Sequence, residues 1–182
     1  MQVDAKLLTP GTPMSDHARE LERRREFIAA VAVLALAGQL TTGARAAEAH
    51  VLERIGDLRP LLAQVRRERV PLLLFFSTPG CPYCIEVRRN YLAPRARDPR
   101  AGVLIREVDI VGQRSFVDAD GQPITEARFA ARFGARVVPV VLIVDASLTP
   151  LGDPLVGLDA AGFYESYLAN AIEAATVKLR AR

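Results

Sequence analysis

Two cysteines, Cys81 and Cys84, carry the most distinctive chemistry of this sequence, and the chain has no others. Thiols at this spacing can form a disulfide with each other and exchange it with another protein. The pair would be a poor structural crosslink, because closing so short a loop restrains the unfolded chain little. A zinc site would need further ligands, and the only histidines are His17 and His50. The spacing therefore favours a redox-active pair.

The residues around the pair predict a strand followed by a helix. The run from Val70 to Phe76 is almost wholly apolar, as in a strand that is covered on both faces. A turn of four residues, 77–80, breaks this run. Pro82 suits the first turn of a helix, where a missing N–H is tolerated, and Pro94 is predicted to end it. Apolar residues recur between them at helical spacing, at Val87, Tyr91 and Leu92.

Cys81 is therefore predicted to lie at the N-terminus of this helix. The free N–H groups and the helix dipole favour an anion there. Such a position can lower the pKa of a cysteine from about 8.5 into the range of about 3.5–7.5, and the thiolate is the attacking species. Cys84 lies one turn further along and should be more buried. We assign Cys81 as the nucleophile and Cys84 as the resolving thiol.

The other predicted elements alternate between helices and strands. We expect a helix that begins near Asp57, a strand at 103–110, a loop or hairpin at 111–124 and a helix at 125–134. Strands at 140–144 and 151–157 should form an antiparallel hairpin. Asp159 is predicted to cap a final helix. Four residues of that helix fall on one apolar stripe: Phe163, Tyr167, Ala171 and Ile172.

Pro139 opens the strand at 140–144, although proline cannot donate a hydrogen bond to a sheet. A cis peptide bond between Val138 and Pro139 would form a tight turn and explain this position. A trans proline at the start of the strand is the alternative, and the sequence leaves both open.

The first 46 residues have the pattern of an export signal. Arginines at 23–25 precede an apolar run at 28–40, and Ala44-Arg45-Ala46 places small residues where a signal peptidase cleaves. The paired arginines before Phe27 also resemble a twin-arginine signal. An uncleaved anchor or an ordinary amphipathic helix is the alternative, although a membrane span needs about 20 apolar residues. We divide the chain into a signal, 1–46, and a periplasmic domain, 47–182.

Composition limits the class of the domain. The chain has 182 residues, half of them hydrophobic, which allows one domain of ordinary size plus a tail. A net charge of +3 and scattered arginines do not indicate nucleic-acid binding. Asp118 and Asp120 lack the downstream acidic ligand of a calcium loop, so we expect a turn there. We expect neither a metal nor an organic cofactor, only the redox-active cysteine pair.

In its order of elements the chain resembles the thioredoxin fold, an α/β fold with a central mixed β-sheet flanked by helices. The resemblance covers about residues 50–175, and it is carried by Cys81-Pro82-Tyr83-Cys84 at a strand-to-helix junction and by Val138-Pro139 before a strand pair. It implies that Cys81 attacks a partner disulfide and that Cys84 resolves the mixed disulfide. It also implies a substrate groove beside them, lined by Pro82, Tyr83, Val138 and Pro139. The segment 116–139 is more narrowly similar to exported thioredoxin-like proteins of the SoxW kind.

Two features depart from the family pattern. Cytoplasmic thioredoxins keep a buried aspartate six residues before the first cysteine, and here that position is Phe75. Deprotonation of Cys84 would then need water or another base. Cys-Pro-Tyr-Cys is also the glutaredoxin pair, but the export signal weighs against glutathione chemistry.

Three functions are compatible with these residues. The first is an exported reductase that receives electrons from a membrane donor of the DsbD or CcdA type and serves sulfur oxidation or cytochrome c maturation. The second is a disulfide-forming oxidant, because a difference of about 30 mV corresponds to only about 1.4 kcal/mol. The third is a thioredoxin-fold binding protein without turnover. In each case we expect a monomer whose partners are client proteins with cysteines or disulfides, and no nucleic acid.

Cleavage of the signal has a direct test. Protein recovered from a periplasmic fraction should begin at Ala47 when its N-terminus is sequenced, because the small residues at 44 and 46 direct the peptidase there. Soluble material that begins at Met1 or Met14 would contradict the predicted cleavage.

Overall fold

The computed structural model describes residues 51–159 and 161–181, so the predicted export signal lies outside the described residues. The described chain contains both helices and strands. They are α1 (Leu58–Glu68), β1 (Leu72–Ser77), α2 (Pro82–Val87), a π-helical turn (Arg88–Leu92), α3 (Ala93–Arg97), β2 (Leu104–Asp109), β3 (Ser115–Val117), β4 (Pro123–Thr125), α4 (Glu126–Arg132), β5 (Val140–Val144), β6 (Leu155–Val156) and α5 (Tyr164–Arg180). Across these described ranges, none of the helices has the length and apolar character that crossing a membrane requires.

The main sheet has four strands in the order β2-β1-β5-β6. β1 pairs with β2 in parallel and with β5 antiparallel, and β6 runs antiparallel to β5. β3 and β4 form a separate hairpin, which confirms the hairpin predicted at 111–124. The fold is therefore the mixed α/β arrangement that the resemblance implied.

β1 lies at the centre because both of its faces are covered. Leu72, Leu74 and Phe76 belong to a first hydrophobic core with residues of α1 and α4. Leu73 and Phe75 belong to a second core with Cys84 and residues of α5. All six residues of β1 are buried, which explains why its sequence shows no polar alternation.

Two predicted helix starts are confirmed by their capping hydrogen bonds. The Asp57 carboxylate accepts from the Arg59 N–H at 2.9 Å, before α1 begins. The Thr125 hydroxyl accepts from the Arg128 N–H at 3.3 Å at the start of α4. In each case a short polar side chain satisfies an N–H that the first helical turn leaves unpaired.

The prediction that Pro94 ends the helix after the cysteines is wrong. The chain continues through the π-helical turn into α3, which ends at Arg97, and Pro94 lies in the first turn of α3. In the widened turn the Ala93 N–H donates to the Arg88 carbonyl, five residues back. A regular α-helix would place the proline ring against the carbonyl four residues earlier, and a wider turn is a common way to avoid this clash.

The predicted start of the last helix is wrong, and its predicted core face is correct for only two of four residues. The Asp159 carboxylate accepts from the Phe163 N–H at 2.6 Å, so it closes the turn that precedes the helix. Phe163 and Tyr167 are 58% and 50% exposed. Ile172 is buried and Ala171 packs against the core, as predicted, and the other buried residues of α5 are Tyr164, Leu168 and Ala175. Both stripes carry large apolar residues at helical spacing, so the spacing does not identify the one that faces the core.

Candidate active site

A tight turn connects β1 to α2 and presents the first cysteine. The Cys81 N–H donates to the Thr78 carbonyl at 3.4 Å, and Pro79 and Gly80 lie between them. Gly80 has a φ of 77°, which residues with a side chain rarely adopt. Proline and glycine in this order are typical of a type II turn. The chain therefore reverses direction immediately before Cys81.

Cys81 occupies the N-cap position of α2, as predicted. Its sulfur accepts from the Cys84 N–H at 3.1 Å, and its carbonyl accepts from the Ile85 N–H at 3.1 Å. A thiolate at this position would face the unpaired N–H groups of the first helical turn. The surrounding backbone is thus arranged to stabilise negative charge on the Cys81 sulfur.

The two cysteines form a disulfide with their Cα atoms 5.2 Å apart. Cys81 is partly exposed, whereas Cys84 is completely buried in the second hydrophobic core. The predicted difference in burial is confirmed. Only the Cys81 sulfur is open to attack from outside, and Cys84 faces the protein interior.

Pro139 lies at the same end of the sheet as the cysteines. Phe76, near the end of β1, pairs in register with Val140, which begins β5 directly after Pro139. Val138 packs against the same core as Cys81, and the peptide bond between Val138 and Pro139 is cis. The Pro139 carbonyl accepts from the Gly157 N–H at 2.8 Å. The sheet therefore brings together the two motifs that the sequence singled out.

The predicted groove residues differ in exposure. Pro82 is exposed and Tyr83 is 62% exposed, whereas Val138 is partly buried and Pro139 is buried. Two further apolar side chains are exposed next to these residues in the chain, Ile85 at 52% and Val137 at 57%. Sequence reasoning did not select them, because single exposed apolar residues are common on protein surfaces. Each is adjacent in the chain to one of the two motifs.

An ion pair lies under the cysteine helix. Arg88 donates to both carboxylate oxygens of Glu107 at 3.1 Å through its Nε. The Ser77 hydroxyl also donates to Glu107, which is buried. A cleft of about 350 Å³ beside the β1–α2 turn is lined in part by these three residues. Sequence analysis did not select these three residues. The available signal was Glu107, an acidic residue that shares a face of the predicted strand with the apolar Ile105.

Within residues 51–159 and 161–181, no three histidine, cysteine or acidic side chains are grouped so that they could hold a metal ion. Asp118 accepts from the backbone N–H of Asp120 and Gln122 and so shapes the β3–β4 turn. The N–H of Gln122 contributes most to holding the pKa of this carboxyl below its usual value, and the Arg132 side chain adds to the effect.

The fold and the Cys81–Cys84 disulfide define a protein for thiol–disulfide exchange. The family model described as thioredoxin-like domain matches residues 58–169, more than half of the chain. The chain belongs to this thioredoxin-like family, and its Cys-x-x-Cys pair makes it a thiol–disulfide oxidoreductase. Among curated proteins, no significant sequence match was found.

Several solved structures are similar to the chain. A thioredoxin from Fasciola hepatica is 14% identical, with coverage of 67% of this chain and 97% of that chain and a TM-score of 0.46. A thioredoxin from Trichomonas vaginalis is 20% identical, with coverage of 68% and 95% and a TM-score of 0.45. A structure described as DsbH oxidoreductase is 18% identical, with coverage of 68% and 88% and a TM-score of 0.46.

Serine variants test the assigned roles. Cys84→Ser should attack insulin disulfides through Cys81 and accumulate mixed disulfides, because the group that resolves them is gone. Cys81→Ser should lose insulin reduction and form far less mixed disulfide, because Cys84 is buried. The measurement is turbidity of reduced insulin together with non-reducing electrophoresis. Equal trapping by both variants would contradict the assignment.

Proposed function

We propose that the protein is an exported, periplasmic reductase of disulfides in client proteins. The observation that carries this proposal is the partly exposed Cys81 joined to a fully buried Cys84 beside Pro139. One sulfur is open to a client, and the other is shielded from it. This arrangement suits a two-step exchange and does not suit a passive crosslink.

The reaction proceeds through a mixed disulfide. In the reduced protein the Cys81 thiolate attacks one sulfur of a client disulfide, and the other client sulfur leaves as a thiolate and takes a proton. The Cys84 thiol then loses a proton and bonds to the Cys81 sulfur, which breaks the bond to the client. Two electrons have passed to the client, and the Cys81–Cys84 disulfide has formed. The Cys84 N–H on the Cys81 sulfur supports the thiolate of the first step.

Client binding uses the apolar surface around the disulfide. Tyr83, Ile85 and Val137 are each more than half exposed. Val138 and Pro139 lie at the end of β5 nearest to Cys81, as the register of β1 with β5 shows. An extended, apolar client segment that carries a cysteine would bury Tyr83, Ile85 and Val137 while its sulfur contacts Cys81. Burial of about 100 Å² of apolar surface contributes about 2.5 kcal/mol before the costs of association.

The disulfide must be reduced again after each turnover. We propose a dithiol donor in the membrane, of the DsbD or CcdA type, because an exported protein has no access to cytoplasmic reductants. The resemblance of residues 116–139 to SoxW-like proteins supports clients in sulfur oxidation or cytochrome c maturation.

The redox potential tests the direction of electron flow. Equilibration of the wild-type domain, residues 47–182, against a dithiothreitol or glutathione series should give a potential near about −270 mV, as in a reductant. Cys81→Ala/Cys84→Ala serves as the control, since it has no thiol to titrate. A value near about −120 mV would overturn the reductase proposal in favour of a disulfide-forming oxidant. An intact protein that exchanges with neither buffer would support the binding-protein alternative.

A further inference from the structure

Arg88 and Glu107 form an ion pair beside the resolving cysteine, and sequence reasoning assigned neither a role. Arg88 follows Cys84 by one helical turn, and its backbone N–H donates to the Cys84 carbonyl. Residues four apart lie on the same face of a helix. The Arg88 side chain therefore leaves the helix on the same side as Cys84, toward the sheet.

Arg88 is held against the sheet by two contacts. Its guanidinium carbon lies 5.7 Å from the centre of the Phe75 ring. Its Nε and terminal nitrogen donate to the Glu107 carboxylate. The side chains of Arg88 and Glu107 are 21% and 8% exposed, so solvent screens the pair only partly.

Glu107 is the register partner of Phe75 in the parallel pairing of β1 with β2. Neighbours in register point to the same face of a sheet, and Phe75 belongs to the core that contains Cys84. Cytoplasmic thioredoxins keep an aspartate at the position of Phe75. In this chain the carboxylate of Glu107 lies beside that position, on the neighbouring strand. Partial burial of these two charges costs desolvation free energy, and two apolar side chains at the same positions would not have this cost.

The other titratable groups around Cys84 contribute less charge. From α5, Tyr164 faces the same core, and burial raises the pKa of its hydroxyl, so it stays neutral. Glu86 of the cysteine helix and Arg89 of the π-helical turn are exposed to solvent, and Tyr91 of that turn packs against the same core. The residues that β1 and β5 contribute to this core are apolar.

Two further charged residues, Arg54 and Asp109, line the same cleft as the ion pair. Arg54 lines the cleft beside Glu107 and pairs with Glu126. Asp109 follows Glu107 by two residues in β2, so it points to the same face of the sheet, and its carboxylate accepts from the Val111 N–H at 3.1 Å. The Cys84 side of the sheet therefore carries the ion pair of Arg88 and Glu107, with Asp109 as a further acidic residue two positions from Glu107.

We propose that Arg88 and Glu107 are positioning residues that set the pH at which Cys84 resolves the mixed disulfide. The inference rests on the proposed two-step exchange. Cys84 must give its proton to water before its sulfur bonds to Cys81 and the client sulfur departs with a proton. The positive charge of Arg88 favours the Cys84 thiolate, and the negative charge of Glu107 opposes it. The two charges therefore act on this step with opposite signs.

Charge-removing variants of matched shape test the proposal. Reduced protein is mixed with 5,5′-dithiobis(2-nitrobenzoate), which releases one coloured thiolate when Cys81 attacks and a second when Cys84 resolves. In Glu107→Gln the midpoint of the second phase should move to lower pH by about one unit, the size expected for a nearby charge. In Arg88→Gln it should move to higher pH by about the same amount, and Arg88→Gln/Glu107→Gln should return toward wild type.

Control variants separate charge from structure. Arg88→Lys keeps the charge and should keep the wild-type midpoint, and so should Glu86→Gln, which removes an exposed charge on the same helix. Circular dichroism confirms that each variant is folded. If Glu107→Gln does not fold, the comparison of Arg88→Gln with Arg88→Lys still tests the charge role. Only Arg88→Gln removes the positive charge, so only that variant should shift the midpoint.

The outcomes distinguish this inference from the proposed function. Unchanged midpoints in folded Arg88→Gln and Glu107→Gln, or shifts in the same direction, would overturn the charge role and leave the two-step exchange intact. Wild-type protein that shows neither phase would overturn the exchange itself and the inference with it.

Discussion

The active site depends on the burial of β1 on both faces. Two separate cores fix this strand, and its last residue leads directly into the turn that ends at Cys81. Because the strand cannot shift, the turn delivers Cys81 to a defined place at the N-terminus of α2. One core also contains Cys84, so the same packing that holds the strand shields the second sulfur from solvent. Placement of the nucleophile and protection of the resolving thiol thus have a common physical cause.

Chemistry at this junction follows from unpaired backbone groups and nearby charges. The N–H groups at the start of a helix favour an anion on Cys81, and one of them, that of Cys84, already points to its sulfur at 3.1 Å. On the Cys84 side of the sheet, the ion pair of Arg88 and Glu107 is partly exposed and is held by Ser77 and the Phe75 ring. Ionisation of Cys81 therefore depends on the backbone of the helix, and ionisation of Cys84 depends on the side chains of Arg88 and Glu107. Such a division allows the two thiols to be tuned independently.

Residues with strong local signals were predictable from the sequence. A strand-to-helix junction was predictable from the types and spacing of Cys81, Pro82 and Cys84. A helix start was predictable from Thr125. Contacts that depend on strand pairing were not predictable: Glu107 meets Phe75 only because β2 joins β1 in parallel, and sequence spacing does not specify which strands are neighbours. The first half of the core face of α5 was predicted wrongly, because Phe163 and Tyr167 repeat at the same spacing as Tyr164 and Leu168. The sequence also could not predict that the helix continues past Pro94, because a π-helical turn has no simple sequence signature.

The central claim is that Cys81 carries a stabilised thiolate at the start of α2. Titration of the thiolate absorbance near 240 nm in reduced wild-type protein, compared with Cys81→Ser and Cys84→Ser, tests it most directly. The account predicts one thiol, lost in Cys81→Ser, that ionises well below the value of about 8.5 for a free cysteine. Two thiols that both ionise like free cysteine would contradict it.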